Sequence, residues 1–274
     1  TGTTNETRNI VAFLDLGEER KYNDDGDTLV LNTYITNPVS GGGFPDNING
    51  NYMYNTLINN YSGIRDINNV NSVLSHPLLL SNDFLNGKDY EKLERARKLS
   101  ESEYTLNHQL GYISLNQALN NDEVLAVAFQ YTVGNKTYQV GELSSTGPNA
   151  PEALIIKLLK GTNFSPALPN WDLMMKNIYA LGAYQMSPDG FVLDVVYENT
   201  EGSGAITNYL PEKELDGDPL ISLLNLDRLN QQMDNQSDGV FDFIEGITAK
   251  ASNGRIIFPV RQPFGSHLRK KLYE

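Results

Sequence analysis

The chain has no cysteine among its 274 residues. Disulfides, cysteine-ligated zinc, iron–sulfur clusters and thiol nucleophiles are thereby excluded, and the redox compartment stays open. Positive charge is also scarce: 21 Lys and Arg stand against 34 Asp and Glu, a formal net charge of −13. A basic footprint for nucleic acid is missing, so no nucleic-acid partner is expected; such an acidic surface favours solubility or cations. Long apolar runs are lacking as well. They reach about five residues, as over 125–129, against the roughly 18 that a membrane helix needs. The chain opens at Thr1 without a basic segment followed by an apolar one, which reads as a mature or excised piece with no signal peptide. No internal repeat of about 20 to 50 residues is visible.

What is present suits a folded domain. Hydrophobic residues make up 39%, or about 47% once the 23 glycines are included, the usual share for a globular chain. Short alternating or β-branched runs are separated by Gly, Asn, Asp and Pro. That pattern predicts a mainly β fold, β-sandwich-like of jelly-roll or Greek-key type with a few short helices; α+β is the alternative. We expect one β-rich domain over 1–274, with a sub-boundary, if any, in the loop-rich region 37–88. Strands are predicted over 10–16, 28–36, 110–115, 124–133, 137–142, 191–197 and 254–260. Gly134-Asn135 sits where a two-residue hairpin turn belongs, because both residues tolerate positive φ. Residues 191–197 place one charge, Asp194, among apolar neighbours, which predicts a strand buried on both faces. Helix is predicted over 89–99, where Asp89 can cap and Glu91 precedes Arg95 by one turn. Residues 151–160 read equally as a helix opened by Pro151 or as a buried strand. Residues 37–51, with three consecutive glycines at Gly41 to Gly43, predict a loop, and 199–208 a connection between strands.

Chemical motifs are few. His76, His108 and His267 are far apart and in no metal-binding spacing, so each reads as structural or solvent-exposed. The glycine triplet lacks the Lys and Ser/Thr of a phosphate-binding loop, no nucleophile elbow occurs, and pairs such as Glu18-Glu19 or Asp24-Asp25 read as solvated turns. One run is more specific. Asp234, Gln236, Asp238, Asp242 and Glu245 fall at the first, third, fifth, ninth and twelfth places of a calcium loop, with Gly239 at the sixth. That spacing lets odd-numbered oxygen ligands converge on one ion while the glycine makes the sharp turn. The competing reading is an Asx-rich turn leading into a strand with Phe241 and Phe243 buried. Trp171, followed by Met174 and Met175, reads as a buried aromatic with methionine filling gaps, or as a sugar-stacking surface.

An ordered string of blocks resembles the SprA (Sov) family. They include Asp89-Tyr90-Glu91-Lys92-Leu93-Glu94-Arg95-Ala96-Arg97, Tyr104-Thr105-Leu106-Asn107-His108-Gln109-Leu110-Gly111-Tyr112-Ile113-Ser114-Leu115, Asn121-Asp122-Glu123-Val124-Leu125-Ala126-Val127-Ala128 and Tyr138-Gln139-Val140-Gly141-Glu142. Further along come Trp171-Asp172-Leu173-Met174-Met175-Lys176-Asn177, Asp238-Gly239-Val240-Phe241-Asp242-Phe243-Ile244-Glu245-Gly246, Asn253-Gly254-Arg255-Ile256-Ile257-Phe258-Pro259-Val260 and Pro263-Phe264-Gly265. The likeness is dense from about Asp89 onward and weaker over 9–17. Members of that family are very large outer-membrane proteins of Bacteroidetes that form the β-barrel translocon of type IX secretion and, in some, serve gliding motility. The resemblance implies a non-enzymatic fragment of such a translocon, outer-membrane-associated. Its partners would be other type IX components, secreted cargo and the rest of its own chain. Alternation here is weak and interrupted by glycines, so an inserted domain facing the periplasm or the exterior is expected rather than barrel wall. The family motif brings no catalytic residues. A calcium-stabilised carbohydrate-binding module is the rival reading.

Overall fold

The computed structural model describes residues 7–16, 21–22, 28–29, 53–75, 84–109, 111–163, 165–200, 202, 204–212, 215 and 217–273. The predicted loop over 37–51, most of the predicted strand over 28–36, and His76 lie outside them. The fold is mainly β with a few short helices, as the sequence predicts. The chain divides into two compact units, Thr1–Met174 and Met175–Glu274, whereas the only sub-boundary considered from the sequence lies in 37–88.

The first unit is built on a four-stranded mixed sheet ordered Tyr90–Arg97, Thr7–Phe13, Leu154–Lys160, Leu125–Val127. The two central strands are parallel, with Ile10 beside Leu154 and Ala12 beside Ile156. Both are buried on both faces, which is why their sequences are nearly continuous apolar runs. Val11, Phe13 and Ile155 pack on one face with Leu57, Ile64, Val70 and Leu74 from three helical segments, Met53–Asn60, Ser62–Arg65 and Val70–Leu74. Ile10, Ala12, Leu154, Ile156 and Leu158 form the core of the other face with Leu93 and Ala126.

This sheet resolves the 151–160 ambiguity as strand and overturns the helix predicted over 89–99. Tyr90–Arg97 is a strand pairing antiparallel with Thr7–Phe13. Its Glu, Lys, Ala and Arg residues favour helix locally, but the exposed backbone edge of a buried strand and the burial of Tyr90 override so weak a preference. A bulge between Arg8 and Ile10 accommodates the misfit, with Arg95 at φ 55 and its N–H donated to the Asn9 side chain.

Two hairpins extend the unit. Tyr104–Asn107 pairs with Tyr112–Leu115, and Phe129–Val133 with Lys136–Val140. The second has the predicted two-residue turn. Gly134 is left-handed at φ 61 while Asn135 is not, the glycine-first arrangement. The predicted 124–133 strand is therefore two strands, broken at Ala128.

The corner before the first hairpin is held by Glu103. Its carboxylate accepts from the Ser100 N–H and hydroxyl and from Arg97. The Ser100 N–H foremost, then Arg97 and the Ser100 hydroxyl, hold it down from 4.5 to about 2. A group lowered on folding contributes stability above its unfolded value, and that contribution is lost as pH falls through the folded one. We expect the urea midpoint of the wild type to fall between those two values of pH, and Glu103→Gln to flatten that limb. Parallel pH dependences for the two proteins would contradict this.

The second unit holds a three-stranded antiparallel sheet ordered Ile178–Ala180, Arg255–Ile257, Ala249–Lys250. Leu224, Leu226, Phe241, Ile256 and Phe258 are its core, and Phe191, Phe241 and Phe243 pack ring against ring. The short strands Tyr197–Glu198 and Ile206–Thr207 pair antiparallel, so the connection predicted over 199–208 is shorter than expected, its residues 206–207 being strand.

The strand predicted over 191–197 differs from expectation. Only Tyr197 is in a ladder, and burial alternates: Phe191, Leu193 and Val195 pack inward while Val192 and Val196 are 77% and 55% exposed. Composition alone cannot distinguish a two-sided burial from a strand with apolar residues on its open face.

Candidate functional site

Two buried polar centres stand out, one in each unit. In the first, the short helix Met53–Asn60 carries Tyr54, the turn Ser62–Arg65 carries Arg65, and Glu142 follows the Lys136–Val140 strand. The Glu142 side chain is 5% exposed and that of Arg65 18%. Arg65 donates to both Glu142 carboxylate oxygens at 2.5 Å, the Tyr54 hydroxyl donates at 2.6 Å and the Ile155 N–H at 2.8 Å. Arg65 also donates to the Ala153 carbonyl and accepts the Ala153 N–H on its own. Burial, reinforced by the hydrogen bond to Glu142, pushes the Tyr54 hydroxyl well above its usual range, so it stays a donor. Four donors surround one carboxylate. Chemically this is a clasp that ties helix, turn and two strand ends together, with the carboxylate's acceptor sites taken up by protein donors.

Smaller pins of the same kind surround the sheet. The buried Lys157 donates to the Leu14 carbonyl, and the buried Glu91 accepts the Thr162 N–H and hydroxyl at 2.8 and 2.6 Å.

The second centre is Asp227, 1% exposed. Its carboxylate accepts the Ser222 hydroxyl at 2.7 Å and the N–H groups of Asp238 and Gly239 at 3.0 Å, while the Ser237 hydroxyl donates to its carbonyl. This residue organises the loop in which the calcium pattern was read. Three of the five positions of that pattern spend their carboxylates on separate backbone N–H groups. Asp242 accepts the Arg228 and Leu229 N–H groups, Glu245 accepts the Ala251 N–H, and Asp238 accepts the Val240 N–H two residues on. Asp234 and Gln236 are exposed, and the Asp234 carbonyl accepts the Gln236 N–H. Among the described residues no three His, Cys, Asp or Glu side chains form a group that could hold a metal.

The Asx-turn reading thus describes this geometry, with Phe241 buried and Phe243 packed against the same core, although residues 241–244 form no strand. Thermal unfolding in millimolar calcium separates the two readings: a saturable rise in Tm is the result expected of an ion site, and an unchanged Tm that of the turn alone. Asp227→Asn should lower stability by about 1–2 kcal/mol and raise hydrogen exchange at the Asp238 and Gly239 amides. Unchanged exchange there would contradict the role given to Asp227.

Trp171 lies half-buried in the short helix Pro169–Leu173, and Met174 and Met175 are 40% and 41% exposed. The methionines do not fill a core gap. His267 is structural, its Nε2 2.8 Å from the Leu223 carbonyl oxygen, and His108 is exposed.

Sequence reasoning missed Glu142, Arg65, Tyr54 and Asp227. For Asp227 a signal existed: an acid directly after Leu223, Leu224 and Leu226, where burial demands hydrogen-bond partners. No family model matches the chain, and no curated protein matches it.

Proposed function

We propose that this chain is a non-enzymatic structural and interaction domain of the outer-membrane type IX translocon, facing the periplasm or the cell exterior. The observation that carries the reading is the ordered run of blocks from Asp89 to Gly265 that resemble the SprA (Sov) family. The use made of those blocks supports it. Arg255–Ile257 is the middle strand of its sheet, Glu142 is the centre of a four-donor clasp, and Asp238, Asp242 and Glu245 accept backbone N–H groups. These four carboxylates are held in scaffolding roles, as a domain that shapes or positions other parts requires. Its partners are other type IX components, secreted cargo and the remainder of its parent chain.

The test is an in-frame deletion of the domain from the parent protein, with parent abundance in the outer membrane followed by immunoblot. Loss of cargo export with the parent still present is the expected result. Normal export overturns the proposal.

A further inference from the structure

In the second unit, residues 192–196 belong to no β-ladder, and no hydrogen bond to their backbone is seen among the described residues. Their burial nevertheless alternates with strand period. Phe191, Leu193 and Val195 pack on the core, whereas Val192, Asp194, Val196 and Glu198 form an exposed row. Ile206, 65% exposed, stands opposite Glu198 in the adjoining two-residue ladder and widens the apolar part of that row. Unused N–H and C=O groups on a stretch with strand alternation are a template for another strand. Exposed valines at alternate positions supply pockets of side-chain contact, and the acids between them supply charge.

We propose that this segment is a docking edge for a strand of another protein whose side chains alternate basic and apolar. The charge pattern selects the occupant. A lysine or arginine lies opposite Asp194 and another opposite Glu198, with apolar residues opposite Val192 and Val196. A second copy of this chain would bring acids against acids and add to a net charge of −13. The inference rests on this surface alone and is independent of the translocon reading.

The test uses the full chain and a fluorescein-labelled peptide of sequence Lys-Thr-Val-Thr-Lys-Thr-Val, followed by fluorescence anisotropy at low salt. Saturable binding is expected, weakened about tenfold by the double variant Asp194→Lys, Glu198→Lys, since each reversed cross-strand pair changes from attraction to repulsion. Both acids are exposed, so the variant should fold as the wild type does. A peptide N-methylated at alternate backbone nitrogens, unable to form the ladder, should not bind. Absence of saturable binding up to about 1 mM peptide, equal binding by the charge-reversed variant, equal binding by the N-methylated peptide, or an edge filled by a second copy in sedimentation experiments each overturns the proposal.

Discussion

Glu142→Ala should destabilise the first unit by about 3–5 kcal/mol, the usual effect of removing one partner from a buried ion pair. The substitution leaves the Arg65 guanidinium, the Tyr54 hydroxyl and the Ile155 N–H without their shared acceptor in a site where the Glu142 side chain is only 5% exposed. Because Arg65 keeps 18% side-chain exposure and its bond to the Ala153 carbonyl, the lower end of that range is the better expectation. Tyr54→Phe removes one donor of four and should cost about 1.5 kcal/mol. Trp171, the only tryptophan, lies in the same unit and reports its urea unfolding by fluorescence. Equal midpoints for wild type and Glu142→Ala would show that the clasp contributes nothing.

Gly254→Ala carries the second large effect. Gly254 is left-handed at φ 62, and a Cβ there would lie 1.8 Å from the Ala183 carbonyl oxygen and 2.6 Å from its carbon. The obstacle is backbone, so no side-chain rotation relieves it. A left-handed non-glycine residue costs about 1–2 kcal/mol and overpacking about 1–3, so the second unit should lose about 2–5 kcal/mol. The Gly254 carbonyl accepts the Leu181 N–H next to the strand Ile178–Ala180, so pairing of that strand with Arg255–Ile257 should weaken with it. Amide exchange at Leu181 and at Phe258, whose N–H donates to the Asn177 carbonyl, measures this directly, and wild-type protection there would contradict the account. The same glycine lies in the Asn253 to Val260 block of the resemblance, where the requirement for glycine has a steric cause.

Legibility in the sequence followed how local each cause is. The Gly134-Asn135 turn was readable because two residues set it. The buried central strands were readable as apolar runs, although 151–160 needed its partner strand to exclude helix. Tyr90–Arg97 carries residues that favour helix, and only the neighbouring strand Thr7–Phe13 makes it β. The polar centres were the least legible. Arg65 and Glu142 are 77 positions apart, and nothing in either neighbourhood announces the other. The spacing from Asp234 to Glu245 was visible, but a ligand pattern in one dimension says nothing of where each carboxylate turns; here Asp238, Asp242 and Glu245 face separate backbone N–H groups, and Asp227, outside the pattern, holds the loop.

The translocon proposal makes one claim that can be read without disturbing the protein: these 274 residues are carried within a far larger outer-membrane polypeptide. An antibody raised against the folded chain, used to blot fractionated source cells, tests it. The account predicts a single band many times larger than 30.5 kDa, confined to the outer-membrane fraction. A band near 30.5 kDa in a soluble fraction would contradict it.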